Sequence, residues 1–180
     1  MRITSGIYKG INIKLPKLTS IRPTSEKTRM ALFNYLDDLI VNKTMLDIFS
    51  GSGAVGIEAL SRQAISVDFI EKDRQLCNLI QSTLLRINEH NSCNVLQGDA
   101  ISLLKKLDSK YDIIFADPPY DYANKEEILS TIETFELLNS HGMVILEHRS
   151  NQKINENILN FQMHDSKIYG DTQISFYKKV

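Results

Sequence analysis

The sequence predicts an α/β fold, in which a mostly parallel sheet ends in a C-terminal antiparallel hairpin and is preceded by a small N-terminal β-hairpin and a helix. Three observations predict it. Short apolar runs alternate with helix-length segments from residue 44 to residue 147, the pattern of βαβ units in a parallel sheet covered on both faces. Gly51, Gly53 and Gly56 fall between the first such run and the first helix after it. Beyond residue 150 the alternation gives way to two strand-like runs around Gly170-Asp171, a hairpin turn signal.

In chain order, residues 2–5 and 11–15 read as short strands around a Gly6…Gly10 turn, with Pro16 closing the unit. Residues 17–23 read as a loop. Thr24 or Ser25 then caps a helix through about residue 40, whose apolar face is Met30, Leu32, Phe33, Leu36 and Leu39. The strands expected next are 44–49, 66–70, 94–97, 111–116 and 143–147. Helices are expected over 54–62, from about Asp73, over 100–107 and over 125–137. The tail forms a hairpin from 161–169 and 173–178.

With 180 residues, 42% hydrophobic and 24% charged, the chain is expected to be one globular domain. Residues 1–23 would be a basic hairpin extension and loop, and 24–180 a helix plus the core. No stretch approaches the roughly 18 consecutive apolar residues of a membrane span, and Met1-Arg2-Ile3-Thr4-Ser5-Gly6 lacks a signal-peptide pattern. Cys77 and Cys93 are too few for a disulfide scaffold or a four-cysteine zinc site, and His90, His141, His148 and His164 have no metal-ligand spacing. The expectation is a cytoplasmic monomer without metal. Net charge is -1, yet before residue 30 Arg2, Lys9, Lys14, Lys17, Arg22, Lys27 and Arg29 face a single acid, Glu26. Such asymmetry fits either a phosphate-contacting segment or a solvated basic surface.

Ligands of parallel α/β sheets bind beyond the carboxyl ends of the strands. The first strand ends in Asp47-Ile48-Phe49-Ser50-Gly51-Ser52-Gly53, a turn that lets a nucleoside cofactor approach the backbone. Glu71, about twenty residues on, can accept hydrogen bonds from both ribose hydroxyls, although Asp73 or Glu71 would equally serve the following helix N-terminus. NAD and S-adenosylmethionine (SAM) fit these two features alike. Asp99, followed by Ala100, can accept from an adenine amino group or cap a helix. Asp117-Pro118-Pro119-Tyr120 is the most specific signal. The prolines fix the backbone beyond an acid. The Asp117 carboxylate and Pro118 carbonyl can then hold the two hydrogens of a planar amine whose ring stacks on Tyr120. Glu147 ends a strand and can face the same site.

The set Asp47-x-Phe49-x-Gly51-x-Gly53, Glu71, Asp99 and Asp117-Pro118-Pro119-Tyr120 resembles the Rossmann-like SAM-dependent amino methyltransferases. Within them, the chain resembles the bacterial 16S ribosomal RNA guanine-N2 methyltransferase family called RsmD. Ser5-Gly6-x-Tyr8-Lys9-Gly10, Arg22-Pro23-Thr24, Arg29-x-x-Leu32-Phe33-Asn34 and Gly56-x-Glu58-Ala59-Leu60-Ser61-Arg62 carry that likeness through residue 120, and past about residue 150 only the terminal hairpin matches. The resemblance implies a Rossmann-like methyltransferase sheet with SAM as cofactor. Asp47, Phe49 and the Gly51 and Gly53 backbone would surround its methionine part, with Glu71 at the ribose and Asp99-Ala100 at the adenine. It implies a flipped guanine held by Asp117, Pro118 and Tyr120, with Pro119 stiffening the clamp. Lys9, Arg22, Thr24 and Arg29 would lie toward ribosomal RNA or an assembling small subunit. Adenine-N6 methylation of RNA or DNA uses a similar clamp and is the alternative.

Overall fold

The computed structural model describes residues 1–14 and 26–180. α1 (Glu26–Leu36) runs through a 3-10 turn (Asp37–Ile40) into an alternation of strands and helices: β1 (Thr44–Ile48), α2 (Ala54–Ser61), β2 (Ser66–Glu71), α3 (Arg74–Arg86), β3 (Cys93–Gln97), α4 (Ala100–Leu104), β4 (Tyr111–Ala116), α5 (Glu126–Thr134) and β5 (Leu138–Arg149). β6 (Asn157–Ile158), β7 (Phe161–Tyr169) and β8 (Thr172–Lys179) complete the described chain. The strands form one sheet in the order β3-β2-β1-β4-β5-β8-β7-β6. β1 to β5 are parallel, and β8, β7 and β6 follow antiparallel. The order reverses at β1, with β2 on one side and β4 on the other. That topology opens a crevice beyond the strand ends.

Two-residue periodicity divides each strand between two cores. Met45, Val67, Phe69, Ile113 and Phe115 face α1, α2 and α3 through Phe33, Ile57, Leu60, Ile80 and Leu84. Leu46, Ile48, Ile70, Ile114 and Ala116 face α4 and α5 through Ile101, Leu104, Ile128 and Ile132. Burial on both faces explains why these strands read as nearly continuous apolar runs. Among the described residues, no helix is long and apolar enough to cross a membrane.

Several expectations are corrected. The N-terminal hairpin is a single antiparallel bridge, Arg2 to Asn12, with Ile3 N donating to Ile11 O at 3.0 Å and Ile13 N to Met1 O at 2.7 Å. Gly10 N also donates to Ile3 O at 2.9 Å and the N-terminal amine to Ile13 O at 3.0 Å, while four backbone donors between these bonds turn to α2. Thr4 N and Ser5 N donate to the Glu58 carboxylate, Ile7 N to Ser61 O and Tyr8 N to Ser61 Oγ. Met30 and Leu39 lie exposed, because the inward stripe of α1 is Thr28, Arg29, Leu32, Phe33 and Leu36. β5 starts five residues earlier than residue 143. A register shift against β4 admits the polar segment Asn139-Ser140-His141, which hides the strand from pattern reading.

Arg29 is corrected too. It is fully buried, its Nη2 donates to Arg2 O at 2.6 Å, and its Nε lies 3.4 Å from Glu58 Oε2. A guanidinium sealed in this way ties α1 to α2 and cannot reach an RNA phosphate. Arg2, Lys9, Lys14 and Lys27 remain exposed, while Arg22 and Thr24 lie outside the described residues.

Candidate active site

The parallel register brings the strand ends level: Ile48 pairs with Ile70 and Ala116, Glu71 with Gln97, and Ala116 with Leu146. The residues just past each end therefore converge on one cavity of about 960 Å³. Phe49 to Ser52, Glu71, Asp99, Ala100, Asp117 to Tyr122 and Glu147 line it. Lys27 and Thr28 of α1 and the β7–β8 turn, Tyr169 to Thr172, form its outer wall. The volume lies within the range of cofactor and small-ligand sites.

The glycine turn is held by its neighbours. Phe49 sits at φ 60°, a left-handed conformation uncommon for a bulky side chain, and its ring meets Tyr122 edge-on at 5.4 Å. Ser50 joins β1 to β2, its N and Oγ both donating to Ile70 O. Gly53 takes φ 73°, and a Cβ there would come within 2.8 Å of Ile80. A Cβ at Gly56 would lie 2.3 Å from the Phe69 ring, so this glycine lets α2 rest directly on β2.

Acids brace the turn from beneath. Glu71 accepts from Gly51 N at 2.7 Å through one oxygen and from Asp73 N at 2.8 Å through the other. Each carboxylate oxygen has capacity for a second hydrogen bond, and Glu71 lines the cavity. Asp73, as the N-cap of α3, takes the helix-capping role. Asp47 is buried and accepts from Gly56 N at 3.0 Å. Burial, opposed by that hydrogen bond, pushes its carboxyl up to about 8, and the nearby Asp117 and Glu71 push the same way. Asp99 caps α4 through Ser102 N, a bond that lowers its pKa, while it also lines the cavity. Cavity contact and helix capping are thus combined in one side chain.

The family model described as Conserved hypothetical protein 95 matches residues 1–178. Ribosomal RNA small subunit methyltransferase D of Escherichia coli strain K12 is 30% identical over 179 residues, spanning 99% of this chain and 90% of that protein. The chain belongs to the RsmD family. The Buchnera aphidicola (strain APS) protein of the same name is 30% identical over 178 residues, covering 97% of this chain and 91% of its own. The solved structure of Escherichia coli yhhF superposes with a TM-score of 0.89 at 30% identity, covering 99% of this chain and 97% of that one.

In this RsmD-family chain, the cavity brings together Phe49, Gly51, Glu71, Asp99, Ala100, Asp117, Pro118, Pro119 and Tyr120. Asp47 and Gly53 lie behind the wall and shape it. Lys9 is on the exposed face of the N-terminal unit and does not line the cavity.

Three contributors were not legible in the sequence. Lys125, 2% exposed, donates from Nζ to Tyr120 O at 3.3 Å and Tyr122 O at 3.0 Å, gripping the loop behind the clamp. Burial lowers its pKa, with Asp121 opposing. The Arg149 guanidinium lies 4.5 Å from the centroid of the Tyr120 ring. Residues 169–172, the turn of the C-terminal hairpin, also line the cavity, a role that a hairpin turn signal does not reveal. Nothing local marks a lysine before Glu126-Glu127 as a loop anchor, since its partners are backbone carbonyls.

Proposed function

We propose that this chain transfers the methyl group of SAM to the exocyclic N2 amine of a guanine in small-subunit ribosomal RNA. One observation carries the proposal: Asp117-Pro118-Pro119-Tyr120 opens from β4 into the same cavity as the glycine turn, Glu71 and Asp99.

The cavity fits a sulfonium cofactor. Among the described lining residues, six are acids (Glu71, Asp99, Asp117, Asp121, Glu147 and Asp171) and two are lysines (Lys27 and Lys72). A field of that sign attracts a cation and opposes the pyrophosphate of a dinucleotide, so the NAD alternative loses support. Glu71 would hold the ribose, Asp99 with Ala100 the adenine, and the Gly51 backbone with Phe49 the methionine part. Bound there, SAM supplies an electrophilic methyl group.

The amine of guanine is a poor nucleophile because its lone pair is delocalised into the ring. The Asp117 carboxylate and the Pro118 carbonyl would accept its two hydrogens, favouring the pyramidal, partly positive nitrogen over the planar ground state. Tyr120 offers its ring as a stacking surface. Lys125 fixes the backbone of that surface from behind, so the clamp is formed before the base arrives. A base must leave its stack to enter, which favours an unpaired loop of the RNA, free or in an assembling subunit.

The test is transfer of radiolabelled methyl from SAM to ribosomal RNA from a strain lacking this gene, followed by nucleoside analysis. Label in N2-methylguanosine is expected. Label in N6-methyladenosine would replace guanine by adenine, and no label above background would remove the activity.

A further inference from the structure

We propose that Arg149 binds the RNA backbone phosphate beside the flipped nucleotide, with its guanidinium face resting on Tyr120 and its edge turned to the phosphate. The inference rests on the methyltransfer reading above and names a contact that reading does not require.

Arg149 is the last residue of β5, the strand parallel to β4, so it stands at the same edge of the sheet as the clamp. Its backbone is held on both sides. Arg149 O accepts from Gln152 N at 3.0 Å and lies 2.9 Å from His148 Nδ1, and Ser150 N donates to Asp171 O at 2.9 Å. The other ring nitrogen of His148 lies 2.9 Å from Ser175 Oγ, in buried surroundings. A ring with Nδ1–H donating to Arg149 O accepts from the Ser175 hydroxyl, so both bonds are satisfied by one neutral tautomer. The strand end is rigid while the Arg149 side chain is exposed.

Tyr120 lines the cavity and Arg149 does not, yet its guanidinium carbon is 4.5 Å from the Tyr120 ring centroid. The cation therefore stands against the clamp tyrosine from outside the set of cavity-lining residues. Stacking uses the flat face of a guanidinium and leaves the N–H donors around its edge, the geometry that matches a phosphate. Among the described residues, Arg149 makes no ion pair with a carboxylate. At a mouth lined by Asp121 and Asp171, a strand of phosphates needs a cation, and this one is pre-oriented at the clamp.

The experiment compares wild type, Arg149→Gln and Arg149→Lys, measuring ribosomal RNA affinity from low to high salt, steady-state methylation, and S-adenosylhomocysteine affinity. Arg149→Gln should weaken RNA binding about tenfold at moderate salt and reduce the slope of log affinity against log salt by about 0.7–0.9. KM for RNA should rise, with S-adenosylhomocysteine affinity within about twofold. Arg149→Lys keeps the charge, so it should retain the salt slope while losing part of the affinity. An unchanged slope in Arg149→Gln overturns the proposal, including the case where kcat falls because Tyr120 has lost its support. Failure of the methyltransfer reading itself would appear separately, as wild-type protein that does not methylate RNA.

Discussion

Glu58 holds the N-terminal unit and Lys125 holds the clamp loop, and the two buried charges are compensated in opposite ways. Glu58, 0% exposed, accepts from Thr4 N at 2.9 Å, Thr4 Oγ1 at 2.6 Å and Ser5 N at 3.0 Å, with Arg29 and Arg62 paired against it. Ionic and neutral partners together satisfy the carboxylate. Among the described residues, the direct partners of Lys125 are the carbonyls of Tyr120 and Tyr122, with Asp121 and Asp117 acting from farther away. The difference teaches where each charge acts. Removing one member of a buried ion pair leaves the other uncompensated, so the Glu58 group is a matter of stability. Lys125 fixes the shape of a short loop, so its loss should be felt mainly in catalysis.

The largest expected effect follows from Glu58. Glu58→Ala should cost about 3–5 kcal/mol of stability, read from urea unfolding, because Arg29 is left buried beside no carboxylate. A cost under about 1 kcal/mol would break the contrast at once. On the clamp side, Asp117→Ala should lower kcat on the order of 10²–10³-fold, with S-adenosylhomocysteine affinity changed little. Turnover near the wild-type rate would remove Asp117 from the chemistry.

Asp47 sharpens the comparison, since it is a buried acid with no basic partner among those that shift it. Its folded pKa of about 8 lies above its ordinary 3.8. Between those values the folded state holds a proton that the unfolded state has released. Asp47 therefore makes stability fall as pH rises through that window, by up to about 1.4 kcal/mol per pH unit. Unfolding of Asp47→Asn across the same range should show a flatter profile than wild type.

For Lys125→Met the expectation is a stability change within about 2 kcal/mol, with kcat lowered about tenfold. A stability loss as large as that of Glu58→Ala would make the two ties equivalent. The smallest effect lies on the outer face of the N-terminal unit. Changing Lys9 and Lys14 to Ala together should leave stability within about 0.5 kcal/mol and reduce the salt slope of RNA binding by about 1.4–1.8. Arg29→Ala should do the reverse, lowering stability and leaving the slope in place.

Much of this architecture was legible because its signals are local. Tyr111–Ala116 and Phe161–Tyr169 are strands with the bounds their apolar and turn patterns predict, and the clamp follows β4 as its prolines require. Gly51-Ser52-Gly53 lies between strand and helix as its spacing demands. Where reading failed, a distant partner decided the outcome. Residues 1–14 pair across Arg2 and Asn12 but do not extend into two strands, because Thr4, Ser5, Ile7 and Tyr8 donate to Glu58 and Ser61 instead. Arg29 looks like a surface cation in a basic segment until Glu58 and Arg2 O are found beside it.

The sequence by itself determined the strand–helix alternation, the glycine turn and the Asp117-Pro118-Pro119-Tyr120 corner after β4, because each depends on backbone preferences and side-chain chemistry within a few consecutive residues. Tertiary structure alone decided which charges are buried, that Lys125 grips the Tyr120 loop, that Arg149 covers the Tyr120 ring, and that the β7–β8 turn walls the cavity. Burial and charge pairing belong to the spaces between elements. No short stretch of chain specifies those spaces before the sheet has set the strand ends side by side.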